Sequence, residues 1–143
     1  MTPDGVRELE RHGIEVVVET GAGEGASITD DDYVAACAAV LLGSPTYEGS
    51  CTWQMKRYLD RNAKGLAGKL CGVFCSQNWP GGGGASFAEM TIIAGLLVRG
   101  AIVYSGGTSE GQPYLHFGAV SARAPKEELY RERCLKLGAN IAR

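Results

Sequence analysis

The sequence is poor in the residues that bind metals and in net charge of either sign. It has two histidines and five cysteines, and no two cysteines form CxxC, so no metal site is expected. The cysteine number is odd and the composition reads as cytosolic, which argues against a disulfide framework. No apolar run approaches the ~18 residues that cross a bilayer, so no membrane span is expected. The charged start MTPDGVRELER does not read as a secretory signal. Fourteen basic against 16 acidic residues leave no excess for nucleic acid or an anionic membrane. No lysine or arginine lies between Arg11 and Lys56. What remains, 143 residues with 45% apolar and 21% charged side chains, suffices for one globular domain with a real core, expected in the cytoplasm.

Helix and strand signals alternate along the chain. Thr2-Pro3-Asp4 opens a helix, with Thr as cap and Pro in the first turn, and Gly13 closes it. Residues 14–18 form a β-branched strand. The glycine-rich stretch 19–27 stands after a strand and before a helix, as a phosphate cradle does. Glu19, Glu24, Asp30, Asp31 and Asp32 would repel a phosphate there, so it reads as an acidic surface turn. Thr29 caps a helix over 30–38.

Residues 39–42 are a short apolar strand of the kind buried on both faces of a parallel sheet. Residues 43–50 break the period as a loop. Ser50 or Thr52 then caps a helix with Cys51, Met55, Tyr58 and Leu59 on one side. Cys51, near that helix start, is the one thiol with a case for a lowered pKa; the others read as small buried hydrophobes. Residues 70–76 are a second buried strand, with Cys71 and Cys75 on one face. Gln77-Asn78-Trp79-Pro80 and four glycines follow. Ser86 to Glu89 reads as a capping box for a helix over 87–99 with Phe87, Met90, Ile93, Ala94 and Leu97 toward the core. A strand over 101–104, a long loop over 105–123 carrying Tyr114 and His116, and a C-terminal helix with Tyr130, Cys134, Leu137 and Ile141 buried complete the pattern.

The run GSPTYEGSCTWQMKRYLDR resembles the flavin-ring loop and helix of the flavodoxin-like NAD(P)H-dependent FMN reductases and quinone oxidoreductases. The likeness continues through the strand over 70–76, the four glycines, the next helix and Gly111-Gln112-Pro113-Tyr114, and so covers residues 38–143. Residues 1–37, MTPDGVRELERHGIEVVVETGAGEGASITDDDYVAAC, instead resemble the early part of alanine dehydrogenases and transhydrogenases. The chain reads as a chimera joined near residues 37–40.

The resemblance implies one flavodoxin-like α/β domain over 1–143, a three-layer sandwich whose parallel sheet has four strands here. Residues 1–37 are its atypical N-terminal segment and 38–143 its flavin-loop-bearing part. The family's first strand and its Ser/Thr-x-Thr-Gly-Asn-Thr phosphate loop have no counterpart in this sequence. The resemblance implies FMN as cofactor, NAD(P)H as reductant, a quinone or similar small-molecule acceptor, and a homodimer or homotetramer. It places Pro45, Thr46, Tyr47, Glu48 and Gly49 along one edge of the flavin ring. Gln77, Asn78, Trp79, Gly81, Gly82, Gly83 and Gly84 lie against the other edge and the ribityl chain, and Tyr114 borders the site. The alternative is a flavodoxin-like domain with weak or no FMN binding, because the phosphate loop is absent.

Overall fold

The computed structural model describes residues 2–13, 16, 21 and 23–142. The strand expected over residues 14–18 lies outside them except for Val16. Helix α1 (Pro3–Arg11) starts as expected, with Thr2 Oγ1 accepting the Gly5 N–H at 3.2 Å. A single 3-10 turn (Glu24–Ala26) leads to α2 (Asp30–Ala36). Thr29 and Asp32 form a reciprocal capping box at the start of α2. Strand β1 (Ala39–Tyr47) and the two-residue β2 (Ser50–Cys51) form a hairpin, followed by α3 (Trp53–Arg57), which runs into a π-helical turn (Tyr58–Asn62). The rest is β3 (Leu70–Gln77), α4 (Ala85–Val98), β4 (Ile102–Val103), β5 (Ala119–Ala122) and α5 (Glu128–Ala142).

Strand β3 is the spine of the sheet. It pairs in parallel with β1 along seven residues, from Ala39 opposite Leu70 to Pro45 opposite Ser76. Its other edge is shared by β4, at Leu70 and Cys71, and β5, from Phe74 to Gln77. β2 adds an antiparallel arm to the carboxyl end of β1, so the sheet is mixed rather than wholly parallel. Two layers cover it. Cys71, Val73 and Cys75 are buried with Ala88, Ile92 and Leu96 of α4, together with Leu59 and Leu66. On the other face Leu137 and Ile141 of α5 pack with Leu115 and Ala119.

The structure corrects several sequence expectations. The loop expected over 43–50 is mostly strand, because β1 continues to Tyr47. The long loop over 105–123 contains β5, and the C-terminal helix starts at Glu128, with Cys134 exposed. The helix expected over 87–99 starts at Ala85 with Gly84 as its cap; Ser86 caps nothing and Glu89 is buried. Its core face is Ala85, Ala88, Ile92, Ile93 and Leu96, so of the expected set Ile93 is buried, while Phe87, Met90, Ala94 and Leu97 point outward. A helix that is apolar all round gives periodicity no means of choosing a face.

Glu89 on that face is 2% exposed, and its Oε1 has no partner among the described residues. Burial pushes its carboxyl from the ordinary 4.5 up to about 7, against the opposing pull of Arg133. A carboxyl with its folded pKa raised contributes stability that is full below the unfolded pKa and is lost as pH rises through the folded one. Unfolding free energy is therefore expected to fall by on the order of 3 kcal/mol between pH 4.5 and pH 7 from this group alone. Glu89→Gln removes that part of the slope, which urea unfolding across this pH range measures directly.

Candidate functional site

The register of β1 on β3 places the ends of the two strands side by side, Ser44 opposite Cys75 and Pro45 opposite Ser76. Beyond them Tyr47 and Gln77 reach the same carboxyl rim of the sheet, the edge at which open α/β sheets hold ligands. Pro45, Thr46 and Tyr47 are strand residues, and only Glu48 and Gly49 form the turn. Thr46 pairs with Cys51 and Tyr47 with Ser50, and Glu48 and Gly49 both have positive φ (49° and 74°). This two-residue hairpin has the mirror-image turn that suits strand twist. Buried Ser44 ties the following helix to the strand: its Oγ accepts the Thr52 N–H at 2.9 Å. Thr52 in turn caps α3 through the Met55 N–H, settling the choice of cap.

The glycine run folds back onto this hairpin. Gly84 has φ +83°, and a Cβ placed on it would stand 2.8 Å from the Gly49 Cα and 3.6 Å from Thr46 Cγ2. A Cβ on Gly83 would stand 2.6 Å from Oε1 of Gln77, which accepts the Ala85 N–H at 3.1 Å and so holds the start of α4. The two loops therefore abut, forming a ledge rather than an open slot. Gly81 and Gly82 sit at its exposed outer end. Tyr47, Trp53 and Trp79 are each 66% exposed. Thr46 Oγ1 is buried and has no hydrogen-bond partner among the described residues.

Arg123 joins this rim, which the sequence pattern did not signal. It has φ 59°, donates its N–H to the Gln77 carbonyl at 2.7 Å, and donates Nε–H to Asn78 Oδ1 at 3.0 Å. Only the unforeseen strand β5 carries it there. Tyr114 is exposed in the loop before β5, and its described ring contact is with His116, 6.2 Å between centroids, rather than with the rim residues. That loop is held by α5: Lys136 Nζ donates to the carbonyls of Glu110 and Gly111, and Asn140 Nδ2 to that of Ser105. The reading of Cys51 as a low-pKa thiol is overturned, since burial pushes it up. Burial likewise pushes the Cys75 thiol up, to about 12. The glycine-rich turn before α2 spends the Gly21 N–H on Asp30 Oδ1 at 2.9 Å. Its hollow of about 570 Å³ is lined by Glu24, Asp30 and Asp31, a poor host for a phosphate. Among the described residues no group of His, Cys, Asp and Glu is placed to hold a metal, and no helix is long and apolar enough to cross a membrane.

Parallel strands between two helical layers, with paired turns at their carboxyl rim, define a flavodoxin-like α/β protein. A solved structure titled as a flavodoxin, WrbA-like protein from Agrobacterium tumefaciens superimposes with a TM-score of 0.64 at 20% identity, covering 84% of this chain and 82% of that one. The sequence itself has relatives of two kinds. It is 36% identical to a flavodoxin of Clostridium saccharobutylicum over 92 residues (64% of this chain, 57% of that protein). It is 33% identical over 119 residues to an NAD(P)H dehydrogenase (quinone) of Solidesulfovibrio magneticus (74% of this chain, 54% of that protein). Residues 1–52 match the family described as alanine dehydrogenase/PNT, N-terminal domain. The chain is thus similar to flavodoxins and to a quinone dehydrogenase, with an N-terminal segment similar to that of alanine dehydrogenases, and it spans somewhat more than half the length of the flavodoxin-type relatives.

Because Gly84 carries both a positive φ and the backbone contact to Gly49, Gly84→Ala is expected to destabilise the protein by about 1–3 kcal/mol in urea or thermal unfolding. Gly81→Ala, in open space, is expected to stay within about 0.5 kcal/mol of the parent.

Proposed function

We propose that this chain is an FMN-associated flavodoxin-like oxidoreductase. In this reading it passes a hydride from NAD(P)H through the flavin to a quinone or similar small acceptor. One observation carries the reading: the hairpin turn and the glycine run meet at the carboxyl rim, with Tyr47 and Trp79 exposed beside them. Two features of that ledge suit a flat heteroaromatic ring. Side-chain-free backbone at Gly81 and Gly82, in open space at the ledge's outer end, allows close approach, and the exposed rings of Tyr47 and Trp79 offer flat faces for stacking. Bound flavin would supply the hydride chemistry; the chain's own part is to bind and orient it. Pro45, Thr46, Tyr47, Glu48 and Gly49 would hold one ring edge. Gln77, Asn78, Trp79 and the four glycines would hold the other edge and the ribityl chain, with Arg123 positioned through Asn78. Tyr114 would border the site only where its loop, or that of a neighbouring copy, reaches the rim. The names of the flavodoxin and quinone dehydrogenase relatives support the same reading. It includes a cytoplasmic homo-oligomer acting on a small molecule, with neither nucleic acid nor membrane as partner.

A second reading, a flavodoxin-like domain that binds flavin weakly or not at all, is favoured by a separate observation. The glycine-rich turn before α2 is lined by Glu24, Asp30 and Asp31, and its Gly21 N–H is already bonded to Asp30. Charge-assisted bonds to a phosphate, worth roughly 1.5–3 kcal/mol each, are then lost. The two readings separate in a fluorescence titration of FMN and of riboflavin. The proposal expects both to be quenched, with dissociation constants within about threefold of each other, since the ring and not the phosphate is gripped. Trp79→Ala is expected to weaken both by about tenfold, the scale of one aromatic stacking contact. Quenching of neither flavin supports the second reading and overturns the first.

A further inference from the structure

Arg123 stands in the left-handed region at φ 59°, where a residue with a Cβ is strained. Three hydrogen bonds hold it there. Its N–H donates to the Gln77 carbonyl at 2.7 Å, its carbonyl accepts from the Ser121 hydroxyl at 2.9 Å, and its Nε–H donates to Asn78 Oδ1 at 3.0 Å. Ser121 is itself buried, so the pin on the carbonyl is rigid. The arginine is nevertheless exposed, so burial of the residue does not offset the strain. Among the described residues no carboxylate forms an ion pair with it. The bond through Nε fixes the plane of the guanidinium and leaves both of its amino ends open, a fork of the shape that takes a carboxylate or a similar oxyanion. Strain of this kind, held in place by its surroundings, is characteristic of residues kept for a ligand.

We infer that Arg123 binds the anionic group of a flat aromatic acceptor, a carboxylate or sulfonate, whose ring system lies across the end of β3 toward the hairpin. The sheet register sets the scale. Ser76 of β3 has Pro45 of β1 on one side and Ser121 of β5 on the other. The ends of β1 and β5 are therefore level and two strand spacings apart, about 10 Å. That is the width of a two- or three-ring aromatic with one charged substituent. Charge sets the direction. The hairpin on the β1 side carries the exposed Glu48, and the β5 side carries Arg123, so the anion points to β5. Trp79, the neighbour of Asn78, is 66% exposed and offers a ring face beside the guanidinium. A phosphate on a bound flavin has the same chemistry. The position of Arg123 argues against it: the arginine is bonded at Gln77 and Asn78, before the open glycines Gly81 and Gly82 and not beyond them. The inference names the substrate class of the rim and rests on the functional reading only for the place of binding; it does not require flavin.

Quenching of tryptophan fluorescence in the flavin-free protein tests it, with three probes that share one ring system: anthraquinone monosulfonate, anthraquinone carboxylate and the neutral hydroxymethyl-anthraquinone. The parent is expected to bind both anions at least about tenfold more tightly than the neutral probe, the scale of a charge-assisted pair. Arg123→Gln is expected to abolish that preference and to leave the neutral probe within about twofold. Arg123→Gly serves as the second variant, because glycine accepts the positive φ and keeps both backbone bonds. It is expected to fold as the parent does and to lose the preference equally. A parent that binds none of the probes, or binds all three alike, overturns the inference. So does a loss of thermal stability in Arg123→Gly with the preference intact, which marks the arginine as structural. Titrating Arg123→Gln with FMN and riboflavin separates the two sources of anion: weakening of FMN alone assigns the arginine to the flavin phosphate and also overturns the inference. A chain that binds neither flavin fails the functional reading while leaving the anthraquinone result standing.

Discussion

The constraint on which the rim depends is the approach of two backbones, Gly84 to Gly49, with no side chain between them. The parallel pairing of β1 and β3 brings the two strand ends level. The mirror-image turn at Glu48-Gly49 then folds β2 back along β1, and Gln77 holds the start of α4 from below. Each device is local, but their sum is a ledge at one rim of the sheet, with aromatic side chains standing free beside it. Left-handed backbone at Gly84 costs little because glycine bears no Cβ, and any other residue would have to push the turns apart.

The same economy of side chains recurs inside the sheet. Phe74 lies across Gly43, where an added Cβ would come within 2.1 Å of the ring, and Leu41 and Ile141 close over Gly72. Gly118 leaves the room that Glu89 occupies at the point where β4 gives way to β5. The interruption of that edge thus carries the one carboxyl buried among the described residues, and with it the expected dependence of stability on pH.

Features that depend on near neighbours are legible in the sequence. The Thr29–Asp32 capping box, the Thr2 cap and the strand from Leu70 onward all follow from residues within a few positions of one another. Features set by tertiary pairing are not. AVSA at 119–122 is too short and too small-sided to announce itself, and becomes a strand because β3 runs on past β4. Arg123 arrives at the rim with it. The face of α4 is undecidable from a pattern that is apolar on every side, and the extension of β1 through Pro45 is won by the hairpin rather than by propensity. The residues expected near a ligand from the two rim loops do lie together at one end of the sheet, whereas Tyr114 belongs to a loop pinned elsewhere by Lys136.

The central claim is that the hairpin turn and the glycine run act as one binding ledge. Amide hydrogen exchange with and without saturating FMN tests it most directly. The account predicts that amides over 46–50 and 78–84 slow together while those over 23–29 are unchanged. Protection confined to 23–29, to one of the two rim loops, or to neither would contradict it.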